Sequence, residues 1–594
     1  MLQRIIFFLF VVAFGRPVFS QRLNSWEPSY TNISVDEGLP SSETYFVYQD
    51  RKGFMWICTD RGVVRFDGYR YQVFNKENGL LDNVVFKMME DFKGRIWFLT
   101  YSRQLCYYEK GSIKPYKFNH LIKKHVAHNY APFSWASIDP QDNLYFSVNN
   151  RPIIRISPKG KTVTYPLDHD IHFTKIYNRW MFSAVPVKKP ILNPVYFKFD
   201  GKECKINAVG TAKDFCVERQ EVEQFGNTIY ITNKATIYTS GGACRQLESL
   251  ITGTYKQGKD LWVSTFKGIY LFRNVQKRGL AKPEVFLKPY SVTGVCRDRE
   301  GGYWFSTLEN GVFYCPDIRV LNASLSEDPA NNNLYDVYLD KRMFLVSNVR
   351  GCYEVRSGKV ISEMEKNISQ IAHLGNTVFV SDEKPLVTNF PGIKRMKTGS
   401  GSWCRESDTS FLLTGSGIMR YTISGDSCML YDPIFDPSVF RFVKHRFEPI
   451  VLDRKKNLYI ADLVGMYRLE NKVFRPYRPL HFPKDIRVYD LAYSDDWGLL
   501  AGTAGGGVYM IKNDRVVSVV NERNGLIFNY VNRLYLDDKN QLYVCTNKGV
   551  SRIYRDKEGS IRVDNLTTFQ GLRGLEVNAC FSYDHTLYLA TRRG

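Results

Sequence analysis

The sequence predicts an all-β fold made of two tandem seven-bladed β-propellers. The first observation is a repeat of about 41 residues that recurs along the 594-residue chain, which is the length of a four-stranded propeller blade. The second is a period-two alternation of apolar residues between turn residues, as in Gln541-Leu542-Tyr543-Val544-Cys545, which indicates strands and not a helical repeat. The third is an aromatic content of 14 %, which favours strands.

Each unit of the repeat carries one aromatic or apolar anchor. Trp56 and Trp97 are 41 residues apart, and so are Asp50 and Asp91 before them. Fourteen anchors at this mean spacing predict two rings of seven, because a single propeller typically holds four to eight blades. The anchors are Trp56, Trp97, Tyr145, Met181, Tyr230, Trp262 and Trp304 in the first ring, and Phe344, Phe379, Phe411, Tyr459, Leu500, Tyr543 and Tyr588 in the second.

A turn of the form Asp-x-x-Gly or Asp-x-x-Asn precedes the clearest anchors. We expect the carboxylate to accept backbone N–H bonds, the Gly to take the left-handed conformation, and the anchor to pack between sheets. Each loop offers one or two carboxylates, whereas Ca²⁺ binds six to eight oxygens, so a structural turn is favoured over a calcium site. The residues assigned to turns and anchors are Asp50, Gly53, Trp56, Thr59, Asp91, Gly94, Trp97, Thr100, Trp262, Asp298, Gly301, Trp304, Tyr459, Asp538, Tyr543 and Tyr588.

Residues 1–20 have the pattern of a secretory signal peptide. Arg4 precedes an apolar run at residues 5–14, and small residues precede the expected cleavage position. The run is shorter than the roughly 20 residues of a membrane span. We therefore assign residues 1–20 to a signal peptide, 21–320 to the first propeller and 321–594 to the second, with a polar linker at 322–333.

The fourteenth unit is interrupted at Gly594, so we expect an incomplete last blade. This indicates a fragment, a truncated gene product or a protein split between chains. Propellers close their ring by pairing strands from distant parts of the chain in one blade, and we therefore expect residues 30–34 to belong to a closing blade.

Charge and reactive residues indicate no catalytic or metal site. The net charge of +21 comes from dispersed Lys and Arg, which favours a solvated basic surface over nucleic-acid recognition. Residues 168–172 could ligate a metal, but their motif places no third and fourth ligand. Glycine-rich residues 415–417 and 502–507 fit turns between strands, because they do not open a helix in a βαβ unit. We predict no catalytic residue, metal or cofactor.

The twelve cysteines are scattered, without a C-x-x-C motif or zinc spacing. We expect most of them to be buried thiols, because free Cys behaves as a small apolar residue. A few disulfides remain open, and the sequence does not pair them.

The first eighty residues contain a specific series of motifs: Gly38-Leu39-Pro40, Val47-Tyr48-Gln49-Asp50, Gly53, Trp56-Ile57-Cys58-Thr59, Gly62 and Arg65-Phe66-Asp67-Gly68. This series resembles the two-component regulator propeller repeat. Similar elements recur at residues 525–531 and 571–578, and the resemblance covers nearly all of residues 28–594. Cys58 stands where the family favours Gly, and the second unit lacks the Gly-Thr-x-x-Gly ending.

The resemblance implies the periplasmic, ligand-sensing region of a two-component sensor histidine kinase. Family members carry two propellers outside the inner membrane, usually followed by an immunoglobulin-like domain, a transmembrane helix and the kinase. Many respond to oligosaccharides, so the implied partners are an oligosaccharide or other small ligand, a kinase module in cis or in trans, and a second copy in a homodimer. A secreted glycan lyase or glycosidase and a passive protein-binding scaffold remain alternatives, because fold does not decide between these classes.

Overall fold

The structure is a computed structural model. It describes residues 26–594 apart from residues 127–132, 149–152, 166–171, 177–178, 184–194, 200–201, 207–219, 327–331, 349, 358, 364–370, 375–376, 382–392, 397–401, 415–417, 425–426, 434–448 and 463–464. The predicted signal peptide and most of the 168–172 segment lie outside the described residues.

The chain forms two compact units. The first unit is Ser29–Arg319, and the second is Val320–Gly594 together with residues 26–28. Sequence analysis assigned residues 26–28 to the first propeller, but strand β1 (Glu27–Pro28) pairs with residues of the second unit, and Trp26 stacks on Phe344 at a centroid distance of 6.1 Å. The chain then enters the first unit through β2 (Thr31–Ile33).

The first unit shows seven four-stranded blades in its described residues. Neighbouring strands are antiparallel, except that β15 and β17 in the fourth blade run parallel. The strands of blades 1 to 7 are β3–β6 (Thr44–Gln49, Met55–Thr59, Gly62–Phe66, Tyr71–Phe74), β7–β10 (Val85–Glu90, Ile96–Thr100, Leu105–Glu109, Ser112–Pro115), β11–β14 (Phe133–Ile138, Leu144–Val148, Ile153–Ile156, Thr162–Tyr165), β15–β18 (His172–Ile176, Arg179–Ser183, Val195–Phe199, Lys202–Ile206), β19–β22 (Gln220–Phe225, Thr228–Asn233, Thr236–Thr239, Cys244–Gln246), β23–β26 (Ile251–Gln257, Asp260–Thr265, Gly268–Phe272, Glu284–Phe286) and β27–β29 (Val292–Arg297, Tyr303–Thr307, Val312–Cys315) with β2.

The second unit is also a ring of antiparallel blades, except that β36 and β37 in its second blade run parallel. It starts with β30 (Leu321–Asn322), the partner of β1. Its second blade shows three strands and its seventh shows two in the described residues. The strands of blades 1 to 7 are β31–β34 (Asp336–Leu339, Phe344–Asn348, Gly351–Glu354, Lys359–Glu363), β35–β37 (Ile371–Leu374, Thr377–Ser381, Ile393–Met396), β38–β41 (Trp403–Arg405, Ser410–Thr414, Ile418–Ser424, Ser427–Pro433), β42–β45 (Ile450–Leu452, Leu458–Ala461, Met466–Glu470, Val473–Tyr477), β46–β49 (Val488–Ser494, Gly498–Thr503, Val508–Lys512, Arg515–Val520), β50–β53 (Val531–Leu536, Leu542–Thr546, Gly549–Arg555, Ile561–Leu566) and β54–β55 (Val577–Tyr583, Thr586–Thr591). The predicted fold class is confirmed.

Helices are short in the described part of the chain. The α-helices are α1 (Asn119–Val126) and α2 (Val275–Arg278), and single 3₁₀ turns span Lys76–Asn78, Glu522–Asn524 and Thr568–Gln570. Neither α-helix has the length or apolar character that crossing a membrane requires.

All fourteen anchors lie in the second strand of their blades. The clearest ones are buried between neighbouring blades, as the alternation of strand side chains requires. The ring of Trp56 lies 5.9 Å from Phe98 of the next blade, and the ring of Trp262 lies 5.8 Å from Phe305. Tyr588 meets Phe344 of the following blade at 5.5 Å. The repeat therefore sets the blade-to-blade contacts of both rings.

The Asp turn couples directly to the anchor in three blades. Asp50 Oδ1 accepts the backbone N–H groups of Lys52 and Phe54 at 2.9 and 3.0 Å, and its Oδ2 accepts the Trp56 indole N–H at 2.8 Å. Gly53 between them has φ +96°, the left-handed region. The pairs Asp91–Trp97 and Asp298–Trp304 repeat the 2.8 Å bond, with Gly94 and Gly301 left-handed at φ +76° and +99°.

Other blades modify this turn. In the blade of Tyr543, the carboxylate at the turn belongs to Asp537, one residue before the predicted Asp538. It accepts the Gln541 N–H at 2.8 Å. In the blade of Tyr459, the tyrosine hydroxyl takes the place of the indole N–H and donates to Asp453 Oδ2 at 3.4 Å. The buried indole Nε1 of Trp262 has no hydrogen-bond partner among the residues that the structure describes.

A buried threonine joins the first and last blades of the first unit. Thr44 Oγ1 donates to the carbonyl oxygens of Thr307 and Gly311 at 2.9 Å, and Thr293 Oγ1 donates to the Thr44 carbonyl at 2.9 Å. Strand β2 pairs with β29 as the outer strand of the seventh blade. The prediction that residues 30–34 belong to a closing blade is confirmed.

Replacing Asp50 with Ala should destabilise the first unit by about 2–4 kcal/mol, because two turn amides and a buried indole N–H lose their acceptor. Urea unfolding followed by tryptophan fluorescence measures the change. Exposed Asp36 in the same unit supplies the control, Asp36→Ala, for which a loss below about 0.5 kcal/mol is expected. Equal effects of the two substitutions would contradict the assigned role of the turn.

Replacing Thr44 with Val keeps the shape of the side chain but removes the hydroxyl that joins the two end blades. We expect the first unit to lose about 1–3 kcal/mol, because buried carbonyl oxygens lose a donor. Differential scanning calorimetry with Thr31→Val, an exposed strand position, as control checks this. An unchanged melting temperature in Thr44→Val would show that the hydroxyl does not close the ring.

Candidate functional site

A cavity of about 180 Å³ lies at the centre of the second unit. Its walls include residues on or beside the first strand of all seven blades, so the cavity is the central channel of this ring. The charged residues that line it are Asp336 on β31, Asp490 on β46 and Arg533 on β50. These three side chains and the aromatic residues around them form the candidate site.

The two carboxylates are held by backbone amides of adjacent blades. Asp336 Oδ2 accepts the N–H of Ile371 in the next blade at 2.9 Å, and Asp490 Oδ2 accepts the N–H of Leu534 in the next blade at 2.7 Å. The other oxygen of each accepts the N–H of the following residue, at 3.0 Å for Asp336 and 2.9 Å for Asp490. Each Asp therefore fastens two blades while presenting negative charge to the channel.

Arg533 supplies the positive charge of the channel. Its Nη2 lies 3.6 Å from Asp336 Oδ2, and its side chain is 27 % exposed. Burial lowers the pKa of this guanidinium, but Asp336 and Asp490 more than offset that effect, and the pKa is raised. Burial raises the pKa values of both Asp carboxyls, against the opposing effect of Arg533. The guanidinium thus offsets part of the energetic cost of burying two carboxyl groups in the channel.

Aromatic rings form part of the channel wall. His373 lies 4.9 Å from Tyr338, 5.3 Å from Trp403 and 5.6 Å from Phe581, measured between ring centroids. Burial, with a smaller contribution from Arg405, lowers the pKa of His373 to about 4. The imidazole is therefore neutral at physiological pH, and the wall presents apolar faces beside the charged groups.

Aromatic and basic side chains lie at or near the starts of β46 and β50, the strands that supply Asp490 and Arg533 to the channel. We call this set the channel mouth and define it as Arg487, Tyr489, Phe528, Tyr530 and Lys548. Tyr489 and Tyr530 are 39 % and 45 % exposed, and Tyr489 directly precedes Asp490 of the channel. The Phe528 and Tyr530 rings stack at 5.4 Å. Arg487 lies 4.7 Å from the Tyr489 ring, and Lys548 lies 4.4 Å from the Phe528 ring.

The glycine-rich turn between β47 and β48 positions this aromatic pair. The N–H groups of Gly505 and Gly507 donate to the Asn529 carbonyl at 3.1 and 3.0 Å, and Ala504 forms an antiparallel bridge with Tyr530. Gly505 has φ +99°, and a Cβ there would stand 3.6 Å from the Tyr530 ring. The turn predicted from residues 502–507 therefore supports the channel mouth.

The turn and anchor residues singled out in the sequence lie within the blades and do not line the channel. Thr59 donates to the Gly62 carbonyl at 2.9 Å and Thr100 to the Gln104 carbonyl at 2.7 Å, so both close turns. The channel residues were not among those singled out in the sequence. No local signal separates them, because first strands of other blades also carry charges, such as Lys87 on β7 and Glu223 on β19.

In the part of the chain that the structure describes, no three His, Cys, Asp or Glu side chains gather in a way that could hold a metal ion.

No protein-family model and no curated protein matches the chain. Among solved structures, it is similar to the extracellular domain of the hybrid two-component system BT3049 from B. thetaiotaomicron, with 14 % identity, a TM-score of 0.60, and coverage of 96 % of this chain and 82 % of that one. At this identity the likeness shows the fold, and it agrees with the fold that the sequence resemblance implies.

Two further solved structures align less well. The extracellular domain of the hybrid two-component system BT4673 from B. thetaiotaomicron has 12 % identity and a TM-score of 0.34, covering 95 % of this chain and 75 % of that one. Virginiamycin B lyase from Staphylococcus aureus has 15 % identity and a TM-score of 0.36, covering 49 % of this chain and 99 % of that one. TM-scores this low carry no argument.

Replacing Arg533 with Met should destabilise the second unit at neutral pH by about 1–3 kcal/mol, since it leaves two carboxylates in the channel without a cation. Because their pKa values are raised on folding, the folded state binds these protons more tightly. Their contribution to stability is therefore present at low pH and falls as pH rises from the ordinary value of 3.8 through the raised pKa.

The difference in unfolding free energy between Arg533→Met and the unaltered protein should accordingly grow from pH 4 to pH 7.5. Denaturant unfolding across this range measures it, with exposed Arg523→Met as the control for loss of one positive charge. A pH-independent difference would mean that Arg533 does not balance the channel carboxylates.

Proposed function

We propose that this chain is the periplasmic, ligand-sensing region of a two-component sensor histidine kinase. In this proposal residues 1–20 direct export, the two units are the two propellers, and an oligosaccharide or other small ligand binds at the channel mouth of the second unit. The signal passes to a membrane-linked kinase module in cis or in trans, with a homodimer as the signalling assembly. The observation that carries the proposal is the exposed aromatic and basic surface beside a charged channel.

An oligosaccharide suits this surface on chemical grounds. The faces of Tyr489 and Tyr530 offer apolar area for the C–H face of a sugar ring, and Arg487 and Lys548 offer hydrogen-bond donors to hydroxyl or carboxylate oxygens. The channel volume of about 180 Å³ is below the roughly 300–1,000 Å³ of typical ligand pockets. One residue of the ligand can enter the channel while the rest lies across the mouth.

We propose binding and not turnover at this site. A glycosidase needs one carboxyl group free to give a proton and another free to act as base or nucleophile. Here both channel carboxylates accept backbone N–H bonds from two strands each, and they fasten neighbouring blades. Carboxylates that are held by these bonds are suited to a rigid recognition surface and not to proton transfer.

Thermal shift measurements with a panel of neutral and acidic oligosaccharides test this function. A ligand at 100 times its dissociation constant should stabilise the protein by about 2.7 kcal/mol. Tyr530→Ala should weaken binding of that ligand about tenfold or more, since a stacked aromatic contact contributes on the order of 1.5 kcal/mol. Tyr69→Ala in the first unit, where the side chain is 92 % exposed, is the matched control.

Binding that survives Tyr489→Ala and Tyr530→Ala would place the ligand elsewhere. Turnover of an oligosaccharide by the purified chain would replace the sensor proposal with a glycan-degrading enzyme.

A further inference from the structure

The two basic side chains of the channel mouth lie over aromatic rings but have no anionic partner. The Arg487 guanidinium lies 4.7 Å from the Tyr489 ring centroid, and the Lys548 ammonium lies 4.4 Å from the Phe528 ring centroid. Both basic residues are exposed. In the part of the chain that the structure describes, neither side chain forms an ion pair or donates a hydrogen bond.

This arrangement differs from the other cation–ring pairs of the described residues. There, each Lys or Arg side chain that lies over a ring also donates a hydrogen bond to an oxygen atom of the protein. Arg95 donates to Asp91 at 2.5 Å, and Lys117 donates to the Pro158 carbonyl at 2.9 Å. A ring face positions a cation without using its N–H donors. The two cations of the channel mouth are therefore held in place with their donors open to a ligand.

Backbone and ring contacts connect the two cations into one surface. The Ala504 N–H donates to the Arg487 carbonyl at 2.9 Å, and Ala504 also bridges Tyr530. The Tyr530 ring stacks on Phe528, the ring beneath Lys548. A ligand that lies on Tyr530 thus has a basic side chain on the blade-5 side and another on the blade-6 side.

The loop that enters blade 6 has an aromatic residue where a corresponding loop has a turn residue. Residues 79–83 and 525–529 share the pattern Gly-Leu-x-x-Asn. In the first of these loops Asp82 accepts the Ser102 N–H at 2.8 Å, the usual role of Asp in a turn. Phe528 occupies the same position in the second loop and cannot accept such a bond. Its ring instead supports the lysine ammonium and the neighbouring tyrosine.

The charges of the channel show which part of a ligand suits the mouth. The channel contains the two carboxyl groups of Asp336 and Asp490 against the single guanidinium of Arg533, so it offers no excess of positive charge to an anion. The mouth offers two cations over aromatic faces. An anionic group is therefore favoured at the mouth and an uncharged group in the channel.

We propose that the ligand of this site is an acidic oligosaccharide whose carboxylate or sulfate group is bound by Arg487 and Lys548. The planar guanidinium can donate two parallel N–H bonds to such a group, and the ammonium adds a point charge. Sugar rings stack on Tyr489 and Tyr530, and an uncharged residue enters the channel. This inference rests on the proposed sensor function and names the class of its ligand.

Isothermal titration calorimetry of the full chain with matched pairs of oligosaccharides tests the inference. In the carboxylate series, galacturonate, glucuronate and mannuronate oligosaccharides are each compared with their methyl-esterified forms. In the sulfate series, sulfated galactan oligosaccharides are compared with their desulfated forms. We expect an acidic member of one series to bind about tenfold more tightly than its neutral form, and its affinity to fall between about 50 and about 300 mM NaCl as the charges are screened.

Substitutions of the two cations supply the second readout. Arg487→Met and Lys548→Met should each weaken binding of the acidic ligand about fivefold or more, and Arg487→Lys should retain part of the affinity. The matched controls are Arg454→Met and Lys455→Met, which remove exposed charges from the turn between β42 and β43, at the opposite end of a blade. These controls should leave the affinity unchanged.

A neutral oligosaccharide that binds as tightly as its acidic form, and whose binding is lost in Tyr530→Ala but kept in Arg487→Met and Lys548→Met, would overturn this inference and leave the sensor function in place. Binding of neutral members alone would overturn it in the same way. If no oligosaccharide of either kind binds, both this inference and oligosaccharide sensing at the channel mouth are wrong.

Discussion

A ring of blades holds together only if each inner strand is fastened to the next one, including the last to the first. In this protein a β-bulge near the start of many first strands turns one side chain toward the neighbouring blade. Thr252 and Thr293 donate to the carbonyl oxygens of Val292 and Thr44 at 2.5 and 2.9 Å. In the second unit Asn532 and Asn578 donate to Val577 and Leu334 at 3.0 and 2.7 Å. The anchors fill the space between blades, but these bonds set the register around the ring.

The same bulge position also supplies the candidate binding surface. At Tyr489 the bulged residue is aromatic, and its side chain is 39 % exposed. The next residue, Asp490, then takes over the link to the following blade through the Leu534 amide. At this blade the bulge position therefore carries a residue of the proposed binding surface, and Asp490 supplies the bond to the next blade.

The blades could be predicted because their signals are local and repeated. An Asp turn followed six residues later by Trp, as in Asp50 and Trp56, is visible in one stretch of chain and recurs at a fixed period. The assignment of Asp538 was wrong because the prediction used only this local pattern. Asp537 and Asp538 are adjacent and fit the pattern equally well, and only the structure shows that Asp537 accepts the N–H bond of the turn. The candidate site was beyond prediction, since Asp336 and Arg533 are far apart in sequence, and the curvature of the ring brings them together.

The sequence by itself determined the all-β class, the repeat length, the two rings of seven and the closing role of residues 30–34, because alternation and turn chemistry are encoded within each unit. The tertiary structure alone decided that residues 26–28 join the second unit and that Asp336, Asp490 and Arg533 share one channel. These are contacts between residues that are far apart in the sequence. They depend on how seven twisted sheets close around an axis, and no single repeat of the sequence contains that geometry.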